Sequence, residues 1–444
     1  MDWKNIAEEV IKSSQKKGAD QAEAYIQISR QLSLEVRNGE IESVEEASTY
    51  GLGLRIMVNK KLGFTYLNDF RPESLEQAIS RAINFAHVLT PDDNNALPEA
   101  SEITEVKGLY DPGLSQVPMD KKISLLKEVE SLARKVPGIT KSAGASYGEE
   151  ESEIIIANSL GLLKSYKSTA CGYGVGVISE KGDQKTGGYE SCNRRFFSEL
   201  KPAAEIAQRA AHKALEMLDP KPIKTQRAAV IFDPEVAYAL LGGIIQAINA
   251  ESVLQGASFL GKKLGQKIAS DLITIIDDGT LERGLASAPF DGEGVPTQKR
   301  IIVENGILKG FLYNTYAAKR AGVKSTGNAT RAGFASLPGI GPHNFYILSG
   351  RHKPEEIIAA TERGILVKEV TGYGINPVNG HFSGGASGLW IEQGKIVFPV
   401  KGITIAGTAE EMLNGIDLLG NDLDLNRGQT APTFRIKSLQ IGGE

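Results

Sequence analysis

Residues 47–56 read ASTYGLGLRI, and residues 169–178 read TACGYGVGVI. Both alternate glycine with apolar side chains, so a strand built from either keeps one face free of Cβ atoms. Such a face suits close packing of another backbone or helix, or a groove for an extended peptide. The two stretches stand about 120 residues apart, and at a similar offset the turn RNGEIES (37–43) has a weaker counterpart in ANSLGLL (157–163). The surroundings repeat as well. A helix ending near Gly18 precedes strand-like runs around 22–29, 32–37, 41–50, 52–58 and 63–68, then a helix near 74–88. The second copy has a helix near 119–135 closing at Val136-Pro137-Gly138, runs around 140–148, 152–157, 162–170, 173–179 and 185–191, then a helix near 204–218. Residues 1–220 are therefore expected to form an N-terminal α+β domain of two duplicated helix/antiparallel-meander/helix units, about 1–90 and 119–220. The polar stretch from Thr90 to Met119, which carries Pro and Gly, connects them.

The segment DPKPIKTQ (219–226) reads as a linker into a second domain over 225–444. RAAVIF is a strand, and Asp233-Pro234-Glu235 after it combines an N-cap, a Pro at the first helical position and an acid in the first turn. There follow the strand LITIID, a hairpin KRIIVENGILKGFLY turning at Asn305-Gly306, and a short helix from Asn314 to Ala321 closed by Gly322. The strand HNFYIL, a helix near 354–363, the hairpin GLWIEQGKIVFPV, a helix near 408–416 and a closing strand APTFRIKSLQI complete the chain. Strands dominate, so the expectation is a barrel- or sandwich-like domain with a few helices.

Fifty basic and fifty-four acidic residues leave a net charge of −4 over 444 residues. No Lys/Arg block tracks a phosphate backbone, which argues against nucleic acid as a partner. The first residues place Trp3, Ile6, Ala7, Val10 and Ile11 at helical spacing and lack the two-part signature of a secretory signal. The longest uncharged helical stretch, Val236 to Ala250, is too short for a bilayer, so no membrane is expected. Two cysteines, Cys171 and Cys192, suit a reducing compartment, and the expected location is the cytoplasm.

Three motifs suggest chemistry and fail on context. GASYG (144–148) fits a nucleophile elbow, but a charged turn and another strand follow it where a helix is required. GASFLGKK (256–263) is one residue short of a phosphate-binding loop and follows a helix instead of a strand. The five histidines, His87, His212, His343, His352 and His381, include no pair at helical spacing for a zinc helix. What remains are candidate cleft residues in Gly-rich loops. Asp291 and Glu293 in PFDGEGVPT could serve as an acid and base or as cation ligands, though tight turns also select these residues. Thr326, Asn328 and Arg331 stand in STGNATRAG, and His381 and Ser383 in NPVNGHFSGGASG.

Several longer stretches carry a resemblance. They are LEVRNGEIESVEEASTYGLGLRI, SFLGKKLGQKIASDLITIIDDGT, FDGEGVPTQKRIIVENGILKGFLYNTYAAKRAGVKSTGNA, HFSGGASGLWIEQGKIVFPVKGITIAG and LLGNDLDL. Together they resemble the PmbA/TldD family, also called modulators of DNA gyrase, over nearly the whole chain. The resemblance implies a cytosolic peptidase system that degrades or matures small unfolded peptides. In it a TldD-type subunit carries a His-Glu-x-x-x-His metal motif and a late Cys, and pairs with a PmbA/TldE-type subunit. Ungapped alignment puts the motif's histidines on Leu241 and Gln246 and its Glu on Gly242, while NRGQTAPTF stands where the Cys belongs. No His occurs between His212 and His343. The chain therefore resembles the PmbA/TldE branch, with no catalytic residue, metal or other cofactor of its own and the metal in a TldD-like partner. Peptide is the expected substrate, and a homodimer the assembly expected when the partner is absent. Alternatives are a non-enzymatic, protein-binding regulator of gyrase and a self-sufficient hydrolase using Asp291, Glu293 or His381.

Overall fold

The computed structural model describes residues 1–103, 105–372 and 374–444. Chain order in the first copy is α1 (Trp3–Lys16), β1 (Gln21–Arg37), β2 (Glu40–Val58), β3 (Lys61–Leu67) and α2 (Pro72–Val88). The second copy is α3 (Met119–Arg134), β4 (Lys141–Asn158), β5 (Leu163–Lys181), β6 (Gln184–Arg194) and α4 (Ala203–Glu216). Each copy thus has three long strands where five shorter runs are expected. The interruptions in pattern are not chain reversals: Gly51 and Gly53 sit inside β2, and β4 absorbs Gly144 as a bulge at φ +105°.

The two meanders join through antiparallel β1 and β4 into one sheet of order β3-β2-β1-β4-β5-β6. Helices α1 and α2 pack Val10, Ile11, Ile79 and Ala82 onto Leu52, Leu54 and Ile56. Helices α3 and α4 pack Leu126, Val129, Ile206 and Ala210 onto Tyr173, Val175 and Val177. The glycines that open the two repeated strands are used differently. A Cβ on Gly51 would stand 2.3 Å from the ring of Phe334, and one on Gly53 would stand 2.2 Å from its carbonyl oxygen, so the first copy receives a loop of the C-terminal half. In the second copy Gly172 and Gly174 make room for Asn193 and Tyr189 of adjacent β6.

The C-terminal half runs β7 (Gln226–Phe232), α5 (Tyr238–Ala247), α6 (Ala250–Leu254), β8 (Ile275–Asp278), β9 (Lys299–Glu304), β10 (Ile307–Leu308), α7 (Thr315–Ala321), β11 (Ala329–Thr330) and β12 (Gly339–Ile340). It continues with β13 (Asn344–Ile347), α8 (Pro354–Ala359), β14 (Arg363–Thr371), β15 (His381–Glu392), β16 (Lys395–Thr408), α9 (Ala409–Asn414), β17 (Ile416–Leu419), β18 (Gln429–Thr430) and β19 (Phe434–Gly442). Strands β16-β15-β14-β7-β19 close into a five-stranded barrel through β16–β19 pairing, and β17 extends β19. The domain is therefore barrel-like, with the smaller sheet β10-β9-β8-β13-β18 beside it.

Local signals act as the residues require. Asn305 and Gly306 both take positive φ at the hairpin turn. Asn314 caps α7 by accepting from the Ala317 N–H, and Gly322 ends it left-handed. Asp233 accepts from the Glu235 N–H at the turn that leads into α5. One expected helix is shorter: α8 stops at Ala359, and the chain enters β14 four residues later.

Candidate functional site

Three places hold the residues that a function would draw on. The first is α5. Its residues Leu240, Leu241, Ile244, Ile245 and Ala247 lie in the large C-terminal core, and the helix packs against β18. The chain segment aligned with the family's late Cys therefore does meet the helix aligned with its metal motif. Leu241 is fully buried, Gln246 is exposed, and a Cβ on Gly242 would meet nothing within 4 Å. The Thr430 hydroxyl on β18 is buried without a hydrogen-bond partner. A catalytic zinc needs about three nitrogen, oxygen or sulfur ligands. Leu241, Gly242, Gln246 and Thr430 offer no imidazole, carboxylate or thiolate, and no three His, Cys, Asp or Glu among the described residues could hold a metal ion. The residues present do not fit a catalytic metal.

The second place is the contact between the N-terminal sheet and the C-terminal loops, where a buried ionic chain forms. Glu23 on β1 lies directly across from Arg55 on β2. Arg55 Nη2 donates to Glu23 at 2.6 Å and Nη1 to Glu293 at 2.9 Å. Arg331 Nη2 donates to the other Glu23 oxygen, its Nε donates to the Gly292 carbonyl at 2.7 Å, and its guanidinium lies 4.6 Å from the Tyr25 ring centre. Glu293 also accepts from the Thr315 N–H at 2.7 Å. The four alternating charges are almost entirely withdrawn from water. Burial alone opposes the charge on Arg55, but Glu23 and Glu293 more than offset it and raise its pKa.

Asp291, fully buried, accepts three backbone N–H bonds, from Glu293, Val295 and Ala329, at 2.9, 3.0 and 2.9 Å. Burial, with Glu293 nearby, pushes its pKa up to about 7 against those three donors. Next to it, Thr326 donates to Asn328 Oδ1 at 2.7 Å, and Asn328 donates to Asp277 at 2.7 Å. Asp277 accepts from the His343 N–H, and burial raises its pKa. Four sequence candidates, Asp291, Glu293, Thr326 and Asn328, thus come together. The hydrogen bonds of Asp291, Thr326 and Asn328 close turns and loops within the C-terminal half, the turn chemistry that also accounts for them in the sequence, and Glu293 reaches the N-terminal half through Arg55.

The third place is the start of β15. His381 and Ser383 are exposed strand residues, paired with Thr408 and Ala406, and only residues 376–380 of the expected loop precede the strand. No hydrogen bond or ion pair among the described residues joins His381 or Ser383 to the buried acids. The loop reading stops at Gly380 because alternation of Phe382, Gly384 and Ala386 buries one face of the strand.

Sequence reading missed Glu23, Arg55 and Arg195. The signal was present in the first two, since each interrupts an apolar strand run (AEAYI, GLRIMV) on what becomes a buried face. A buried charge needs a partner. Which partner was not readable, because Glu293 lies 238 residues from Arg55.

A pseudo-duplicated antiparallel sheet, held by buried charges to a closed barrel with an attached smaller sheet, defines the class of this chain. Comparison with known proteins gives the family. Residues 22–86, 112–218 and 225–443 match domain 1, the central domain and the C-terminal domain of the PmbA/TldA metallopeptidases. The chain is 31% identical to the metalloprotease PmbA of Escherichia coli O157:H7 over 96% of its own length and 93% of that protein's. It is 27% identical to a metalloprotease TldD homologue of Buchnera aphidicola over 96% and 93% of the two chains. The crystal structure of TldE from Thermococcus kodakarensis superposes with a TM-score of 0.90 at 29% identity, covering 99% and 100%. A protein of Thermotoga maritima described as a candidate modulator of a DNA gyrase superposes with the same score at 26% identity, also covering 99% and 100%. The chain belongs to the PmbA/TldD family.

Proposed function

We propose that this chain is the metal-free, PmbA/TldE-type subunit of a two-subunit peptidase of the cytoplasm. The observation that carries the reading is the pairing of full-length family membership with an α5–β18 contact whose two elements carry Leu241, Gly242, Gln246 and Thr430 at the aligned positions, none of them a metal ligand of the expected kind. In this reading the chain binds extended peptide and completes the chamber of a TldD-like partner. That partner supplies the metal-polarised water and the Glu that moves its proton. A strand edge suits the peptide: residues 40–50 of β2 are mostly exposed, and β3 covers only residues 52–58. Without its partner the chain forms a homodimer through the same surface.

The test is size-exclusion chromatography of the chain alone and mixed with a TldD-like subunit. A stoichiometric complex is expected, and two peaks that never merge would reject the pairing. The description of the Thermotoga relative favours a second reading, a regulator that binds gyrase as a protein. With a charge of −4 the chain is not expected to bind duplex DNA directly. Saturable DNA binding with a steep salt slope would favour the second reading over the first.

A further inference from the structure

A cavity of about 380 Å³ opens between β4, β5 and the C-terminal loops, with Asp291 in its lining. It is within the size range of small-molecule sites. Arg195, just beyond β6, forms part of its wall and is only 5% exposed. Its guanidinium donates to four main-chain carbonyls, of Thr169, Gly284, Leu285 and Ser287, at 2.7–3.2 Å. No carboxylate is among these partners, and Arg195 makes no ion pair among the described residues. Burial lowers its pKa, with Tyr166 and Glu150 acting against that shift, yet an arginine stays charged across the physiological range, so a cation with no carboxylate in direct contact stands in the wall.

The same wall holds the reverse. Glu150 lines the cavity and makes neither a hydrogen bond nor an ion pair among the described residues. Tyr25 and Tyr166 share the lining with these charges, and their hydroxyls have no hydrogen-bond partner among the described residues. Burial raises the pKa of both, which keeps them as donors. Phe290 meets Tyr166 edge to face with ring centres 5.1 Å apart, giving the cavity an apolar floor. Contact between domains explains the carbonyl bonds of Arg195. It does not explain an acid and two phenols without a hydrogen-bond partner among the described residues, gathered with a cation around one space.

We propose that this cavity binds a free short peptide as a zwitterion, its terminal carboxylate on Arg195 and the tyrosine hydroxyls and its terminal ammonium facing Glu150. The identification of the ligand as peptide rests on the proposed function, whereas the demand for one positive and one negative end rests on the wall alone. The site would hold a cleavage product or a very short substrate away from the partner's metal.

Calorimetric titration of the full-length chain with trialanine, trialanine amide and N-acetyltrialanine tests it. Trialanine is expected to bind, and each blocked peptide to bind about tenfold or more weakly, the scale of one charge-assisted hydrogen bond. Arg195→Lys is expected to abolish binding but also loosens the domain contact, so Tyr166→Phe is the decisive variant. It removes one hydroxyl and should weaken trialanine about fivefold. Equal binding of the three peptides, or unchanged affinity in both Tyr166→Phe and Glu150→Gln, overturns the proposal. Absence of binding by all three peptides overturns it as well. Complex formation with a TldD-like subunit would stand in each of those cases, which separates failure of the cavity from failure of the proposed function.

Discussion

The α5–β18 contact and the Glu23–Arg55–Glu293–Arg331 chain are opposites in chemistry. The first stands where the family resemblance puts a metal, and its aligned positions are Leu241, Gly242, Gln246 and Thr430. The second stands where the resemblance places no catalytic residue, and it links four charges in a chain of ion pairs. The difference teaches that position in a family alignment and density of charge answer separate questions. An apolar helix can occupy a catalytic position and contribute packing, and a buried ionic chain can resemble an active site while joining domains. Buried ion pairs are retained here with every carboxylate also taking backbone or arginine donors, the condition under which burial is tolerated.

The largest effect is expected at the charged region. Arg55→Met leaves Glu23 and Glu293 buried and short of a cation, and should cost about 3–5 kcal/mol in urea unfolding. Adding Glu293→Gln should restore part of that loss, while Arg331 continues to serve Glu23. If Arg55→Met costs under about 1 kcal/mol, the charges are not the joint. On the apolar side, Leu241→Ala should cost about 3 kcal/mol, because α5 cannot close over the missing side chain. A near-neutral result would mean that α5 is loosely held, unlike a core helix.

A pH experiment sharpens the contrast further. Asp291 binds its proton more tightly when folded than when unfolded, with a pKa raised from 3.8 to about 7. Its contribution to stability is therefore complete below pH 3.8 and is lost as pH rises to about 7, with a slope of at most about 1.4 kcal/mol per pH unit. Asp291→Asn should flatten that part of the curve relative to the parent, measured by urea unfolding at several pH values. An unchanged slope would assign the titration elsewhere.

Neighbouring glycines of α5 give the smallest effects and the cleanest contrast. A Cβ on Gly243 would lie 2.5 Å from both Cβ and the carbonyl oxygen of Ile375, so Gly243→Ala should cost about 1–3 kcal/mol. Gly242→Ala meets open space in a helix and should gain up to about 1 kcal/mol. Thermal unfolding of the two variants should move in opposite directions, and movement in the same direction would contradict the packing described for α5.

Much of this fold was legible. The duplication showed in two glycine-alternating strands, and capping showed in Asn314 and Gly322, because these signals are local. The joining of both meanders into one sheet through β1 and β4 was not legible, since pairing of Glu23 with Asn158 depends on contacts far apart in sequence. Closure of the barrel by β16 and β19 was hidden for the same reason. At the candidate site, Asp291, Glu293, Thr326 and Asn328 stood out by residue type in Gly-rich loops, and the structure gathers them. His381 stood out by the same signal but is the first residue of β15, because Gly and Ser in HFSGG fit an extended backbone as well as a loop. Arg195 gave no local sign: its partners are main-chain carbonyls, which every residue possesses.

The measurement that tests the account most directly is metal content and chelator-sensitive cleavage of an unstructured peptide, for the isolated chain and for its mixture with a TldD-like subunit. The account predicts one equivalent of metal and cleavage in the mixture, with neither in the isolated chain. Metal-dependent cleavage by the isolated chain would contradict it, and would require a ligand set other than the residues of α5 and β18.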